Sequence, residues 1–288
     1  MSELIQHVNN ITCLFSPHDM SSAIGAPLCD PGISSSSWML SLRLAEPGQP
    51  TFVFFPHAGG SPLSIVRLMA ELPDRVGAAV LALPRGGGLD GGVPPRRCTL
   101  AADAAAVSWF ALGVPAETRL ILVGNSYGAL LAYETARRLI SAGAAIERLV
   151  VSGFRSPRLA GTEAPLHRLP LARLRAELEA RYGSMPGDGL EWLDLAEEAL
   201  RADLESCDTY RHPHADRLSI PVDALHLTQD SSVSSDELAA WAQVTSGPFR
   251  VLQLAAGHFP WATQPGATAR VLLQSAGYGC ESTLAAHA

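Results

Sequence analysis

The chain contains no lysine: all 21 basic residues among its 288 are arginine. That absence excludes every chemistry built on a lysine amine, including the P-loop, the Schiff base of pyridoxal phosphate enzymes and aldolases, and a catalytic lysine. Cysteine is scarce as well. Cys13, Cys29, Cys98, Cys207 and Cys280 are odd in number, scattered and without a C-x-x-C pair, so neither a disulfide framework nor a zinc site is expected. A reducing, cytoplasmic setting fits that usage. No basic stretch followed by an apolar one opens the sequence, and no run of about 18 apolar residues occurs, so secretion and membrane spanning are not expected. Charged residues make up 17% and the net charge is -7, which leaves no electropositive footprint for nucleic acid. Apolar residues, at 47%, are plentiful enough to bury a large core.

Residues 1–37 hold Pro17, Gly25, Pro27, Pro31, Gly32 and four consecutive serines at 34–37, with no sustained periodicity, and read as a loose N-terminal extension. From residue 38 to 288 the pattern is that of one α/β domain. Short apolar runs at 38–44, 51–55, 78–83, 119–123, 147–152, 221–227 and 249–254 read as strands. Their alternation with helical patterns predicts a mostly parallel central sheet flanked by helices. Ser61 before Pro62 reads as a helix cap, the run Ser234 to Glu237 offers another, and Gly143 closes the helix begun near Tyr127. Between the fifth and sixth strands the alternation fails. Residues 155–215 carry two helical stretches, around 170–182 and 190–207, with Leu171, Leu174 and Leu178 spaced on one face of the first and Leu193, Leu200 and Leu204 in the second. They read as an inserted helical subdomain.

The most informative segment is Gly124-Asn125-Ser126-Tyr127-Gly128, which follows an apolar strand and opens a helix. This is G-x-S-x-G in the context that makes it a nucleophile turn. Strand and helix can meet at so sharp a bend only where the residues two before and two after the serine lack side chains. The helix then points its first amides at Ser126, and the Tyr127 amide is placed to donate to an oxyanion, which predicts acyl chemistry. A second strand, Phe52 to Phe55, ends in Pro56-His57-Ala58-Gly59-Gly60, the position of the loop that supplies the other oxyanion amide, here assigned to Ala58.

His57 is one candidate base, but a histidine just before such a loop more often shapes it by hydrogen bonding. His258, in Ala256-Gly257-His258-Phe259 after the last strand, is the stronger candidate, since a loop there brings an imidazole over the sheet edge. His226 sits within a strand, and His212 and His214 flank Pro213, which suits structural roles. For the acid, Asp230 lies just past the strand ending at Leu227, in the order serine, acid, histidine. Asp236 at a helix start and Asp223 at the opposite end of its strand are its rivals. Gly86-Gly87-Gly88-Leu89-Asp90-Gly91 satisfies G-x-G-x-x-G, but Pro94 and Pro95 prevent the helix that would hold a pyrophosphate, so it reads as a flexible loop.

With these residues placed, the chain resembles the type II thioesterases, free-standing editing enzymes of polyketide and nonribosomal peptide biosynthesis in the α/β-hydrolase superfamily. The resemblance runs collinearly over about residues 38–275, through Phe54 to Ser61, Gly124 to Arg138, Pro165 to Pro170, Leu200 to Asp203, Ser235 to Trp241, and Ser246 to Phe259. It implies hydrolysis of acyl groups from the phosphopantetheine arm of acyl or peptidyl carrier proteins, with the insertion as a lid. Ser126, Asp230 and His258 take the triad positions. No metal and no diffusible cofactor is implied. The chain departs from the family at Asn125 and Tyr127, where histidine and methionine are usual, at His226-Leu227 in place of a glycine pair, at Ser231 in place of a proline, and at Pro84-Arg85-Gly86-Gly87 in place of Pro-Gly-Arg-Gly. Asn125 and Tyr127 alter the surroundings of the serine, so the substrate or outcome can differ from routine editing.

Charge in the insertion is uneven: residues 155–181 carry six arginines and three glutamates, whereas 188–208 carry eight acids and one arginine. The basic half, with Arg173 and Arg175, could meet an acidic carrier protein or its phosphate, or the two helices could simply present solvated faces. The same motifs also serve acyl transfer or cyclisation, where an amine or alcohol replaces water, and an idle binding protein on the same fold.

Overall fold

The computed structural model describes residues 38–85, 92–161, 164–184 and 190–278, with the backbone alone described for 190–196. The extension at 1–37 and the glycine loop at 86–91 lie outside the described residues.

All seven expected strands form, with ends within a few residues of their expected limits. They are β1 (Met39–Arg43), β2 (Thr51–Phe55), β3 (Gly77–Leu81), β4 (Leu120–Asn125), β5 (Ile146–Ser152), β6 (Val222–Leu227) and β7 (Phe249–Leu254). They join in one sheet in the order β1-β3-β2-β4-β5-β6-β7, parallel throughout except for β1, which pairs antiparallel with β3. Both faces of the sheet are covered, so the central strands carry unbroken apolar runs, and the side chains alternate between two cores. Val53, Phe55, Leu120, Leu122, Leu149 and Val151 enter one core, and Phe52, Phe54, Ile121, Val123 and Val150 the other.

The first core is closed by α2 (Cys98–Ala111) and α3 (Tyr127–Ser141). Alanines 101, 102, 104, 105 and 106 are all buried and let α2 lie close against its neighbours. The second is closed by α1 (Val66–Met69) and α8 (Pro265–Ser275), joined by the short α7 (Pro260–Thr263). Ser61 does cap the segment opened by Pro62, but the first turn, Pro62–Ile65, is a 3-10 helix that passes into α1. Ser234 caps α6 (Ser235–Ala239) in a reciprocal capping box with Glu237.

Between β5 and β6 stand α4 (Leu171–Tyr182) and α5 (Leu190–Thr209). They pack on each other through a small apolar cluster of Leu166, Leu174, Leu178, Leu200 and Leu204, separate from the two sheet cores. Beyond α5 the chain is fixed to α3: the fully buried Glu134 accepts hydrogen bonds from the Tyr210 hydroxyl at 2.6 Å and from Arg138 at 2.7 Å, and meets His214 Nε2 at 2.9 Å. His212 meets the Tyr133 hydroxyl at 3.0 Å, so both histidines beside Pro213 have structural partners. Among the described residues no helix is long and apolar enough to cross a membrane.

Candidate active site

Ser126 stands between β4 and α3 at φ 56° and ψ -128°, and among the described residues it alone, glycines aside, has positive φ. A side chain in that region is strained and persists only where the surroundings enforce it. Here they do. The Ser126 amide donates to the Ser152 carbonyl of the neighbouring strand at 2.8 Å, while α3 begins at the next residue. The two flanking glycines are required by space: a Cβ on Gly124 would stand 2.3 Å from the Gly128 carbonyl oxygen, and one on Gly128 would stand 1.9 Å from that of Phe55.

Ser126, His57, Ala58, Tyr127 and His258 line one cavity, roofed by Leu166, Leu178, Tyr182, Leu200 and Leu204. The serine and the imidazole thus share a site although 132 residues separate them. His258 Nδ1 meets Asp230 Oδ2 at 2.7 Å, and both side chains are almost wholly buried. Ser232 completes this pair, donating its amide (3.0 Å) and hydroxyl (2.6 Å) to Asp230 Oδ1, with the hydroxyl 3.2 Å from His258 Nδ1. Burial alone would raise the Asp230 pKa. The hydrogen bond and charge of His258 and the two bonds from Ser232 outweigh it and hold the carboxyl below its ordinary value. The rival acids lie elsewhere. Asp236 is exposed in the first turn of α6, and Asp223 is buried against Arg148, Arg250 and Ser275.

His57 keeps its place before the loop. Its carbonyl closes the turn by accepting from the Gly60 amide at 2.8 Å, and its ring meets Phe259 edge-on at 4.9 Å. Burial, reinforced by repulsion from His258 and Arg85, pushes its pKa down to about 3. A histidine acting as general base carries a positive charge once it has taken a proton, and this environment resists that charge at His57.

Four contacts at the site have weak sequence signals or none. Asn125 donates through Nδ2 to the His258 carbonyl at 3.0 Å and accepts from Ser152 Oγ at 2.7 Å, so it ties the serine turn to the histidine loop. Tyr182, at the end of α4, lays its ring on the His258 imidazole at 4.3 Å. Tyr127 turns its side chain into the interior beside Cys98, Asp203, Ser206 and Cys207, where its hydroxyl is buried. Asp203 of α5 accepts from the Gly59 amide at 2.7 Å. Asp230 and Ser232 could be anticipated from spacing, since an acid two residues before a serine makes a local turn. The others depend on tertiary packing.

Sheet order, serine turn and histidine-acid pair together define an α/β-hydrolase. The family model of the thioesterase domain matches residues 50–275. Thioesterase PikA5 of Streptomyces venezuelae is 34% identical over 234 residues, 79% of this chain and 81% of its own length. Among solved structures, the type II thioesterase BorB from the borrelidin biosynthetic cluster matches with a TM-score of 0.74 at 29% identity, covering 84% of this chain and 98% of that one. YbtT, the type II thioesterase from the yersiniabactin NRPS/PKS biosynthetic pathway, matches with a TM-score of 0.72 at 27% identity, covering 82% and 97%. The chain belongs to the thioesterase family and is a hydrolase acting on thioesters. Its kinship is with the type II thioesterases of polyketide and nonribosomal peptide biosynthesis, as the resemblance implies.

Proposed function

We propose that the chain releases acyl groups from the phosphopantetheine arm of acyl or peptidyl carrier proteins through an acyl-serine intermediate. Ser126 attacks the thioester carbonyl, His258 takes its proton, and Asp230 holds the imidazole and stabilises its charged form. The amides of Ala58 and Tyr127 receive the oxyanion. The thiol of the arm leaves with a proton from His258, and water, deprotonated by the same imidazole, then frees the acid from Ser126. The reaction as written needs no metal or diffusible cofactor.

The observation that carries this reading is the strained Ser126 sharing a cavity with an imidazole bonded to a buried carboxylate. The leucines of α4 and α5 around that cavity suit an apolar acyl chain. The charged faces of the lid carry less. Glu197, Asp203, Glu205 and Asp208 each have an internal partner, in Arg201, the Gly59 amide, Arg96 and His167, so the acidic run on α5 is in good part structural. Arg173 is exposed on α4 and is the better candidate contact for an acidic carrier.

Intact-protein mass spectrometry after mixing with a panel of acyl-loaded carrier proteins tests the proposal. The expected result is a transient acyl adduct on the wild type, free acid as product, and neither with Ser126→Ala. Turnover that survives in that variant would overturn it, and a product joined to an amine or alcohol would reassign the second step to transfer.

A further inference from the structure

Asp203 is a carboxyl group that the hydrolytic cycle does not use. It lies in α5, between the lid cluster and the first sheet core, and is 5% exposed. Its Oδ2 accepts from the Gly59 amide at 2.7 Å across 144 residues of sequence. Gly59 is the third residue of the turn His57-Ala58-Gly59-Gly60, closed by the Gly60 amide on the His57 carbonyl, and its φ of 68° is what a glycine in that position of a type II turn supplies. The Gly59 amide belongs to the middle peptide of the turn, whose orientation characterises a type II turn. Arg85 secures the far side by donating to the Gly60 carbonyl at 2.9 Å.

We infer that Asp203 is a positioning residue: from the lid its carboxyl group holds the Ala58–Gly59 peptide, keeps the Ala58 amide presented to the cavity beside Ser126, and ties α5 to that loop. The inference rests on the assignment of Ser126 and Ala58 given above. If Asp203 only filled space, an apolar residue of its size would serve better, because a buried acid is costly to hold without a partner. Burial does raise its pKa, to about 7, against the opposing effects of the Gly59 amide and Arg85. Its other charged or titratable neighbours are Cys98 on α2 and Tyr127 on α3, both buried, and Cys207 one turn along α5, partly buried. A carboxyl group offers an acceptor oxygen to Gly59 in either protonation state, so the tether does not require the charge.

The test compares Asp203→Asn, which keeps an acceptor, with Asp203→Leu, which keeps the branched shape at a larger volume and removes the acceptor, and with Asp203→Ala, which removes it without added bulk. The readouts are kcat and KM on a small soluble acyl thioester, and the affinity of an alkyl boronic acid that forms a tetrahedral adduct on Ser126. Both acceptor-free variants are expected to lose roughly tenfold or more in kcat and in boronate affinity, with KM within about twofold; one misplaced oxyanion donor is enough for such a loss. Asp203→Asn is expected to recover most of it. Leu and Ala variants with wild-type kcat, an Asn variant as impaired as Leu, or losses confined to KM would each overturn the inference. If one acceptor-free variant fails to fold, the other carries the comparison; if neither folds while Asn does, boronate affinity in Asp203→Asn decides it, wild-type-like supporting the tether and a tenfold loss opposing it. Ser126→Ala separates the two readings. Turnover surviving in it removes both, whereas turnover lost in it but indifferent to Asp203 removes only the tether.

Discussion

Three residues in and around the active site respond to pH in different ways, and the signs follow from their surroundings. Asp203, raised to about 7, stays protonated in the native chain over a range where the unfolded chain has lost that proton, so its contribution to stability falls as pH rises from about 4 to about 7. The loss is on the order of 4 kcal/mol for a shift of that size. His57, lowered to about 3, acts oppositely: the unfolded chain gains a proton below about 6.5 and the native chain does not, so stability is lost as pH falls. Asp230, held low, loses its contribution on the acid side as well. Thermal melts of Asp203→Asn beside the wild type from pH 4 to 8 isolate the first effect; the variant should gain in relative stability with rising pH, and a constant gap would contradict this. Ser126→Gly should be more stable than Ser126→Ala by about 1 kcal/mol in chemical denaturation, since only glycine is at ease at that φ.

At the level of elements, the junction of β4 and α3 tolerates the least change. Gly128→Ala sets a Cβ against the Phe55 carbonyl and should cost several kcal/mol or prevent folding, which soluble yield and denaturant midpoint would show. This junction was also the most legible part of the chain, because glycine spacing, an apolar strand and a helical pattern all require the same bend. The seven strands were legible for a related reason: strands covered on both faces must be continuously apolar, and such runs stand out. The antiparallel start at β1 was not, since nothing local in Met39 to Arg43 encodes the direction of its partner. The histidine-acid pair could be read from the order of elements. Asp203, Asn125 and Tyr182 could not, because each acts on a group that only tertiary structure brings near, and an aspartate at Leu200-Arg201-Ala202-Asp203 reads locally as one more acid in a charged helix. Tyr182→Ala should uncover the imidazole, so His258 should react faster with diethylpyrocarbonate; an unchanged rate, followed by peptide mass spectrometry, would show that the stacked ring shields nothing.

For the whole molecule, the sheet with α1, α2, α3 and α8 forms the rigid part, and α4 and α5 are held by a smaller cluster and by a few polar ties. Stability should be graded accordingly. Amides of α4, which buries only Leu174 and Leu178, should exchange with deuterium faster than those of α3, which buries most of its length. The last turns of α5 should exchange slowly, since Tyr210 just beyond them is bonded to Glu134 in the middle of α3. The two attachments of this helix differ in kind. Glu134 anchors its trailing end to the scaffold, while Asp203, two turns earlier, grips a loop. A helix pinned at one end can only swivel, and the arc it sweeps is widest farthest from the pin. Long acyl chains would then gain room toward α4, while the floor beside Ser126 stays fixed.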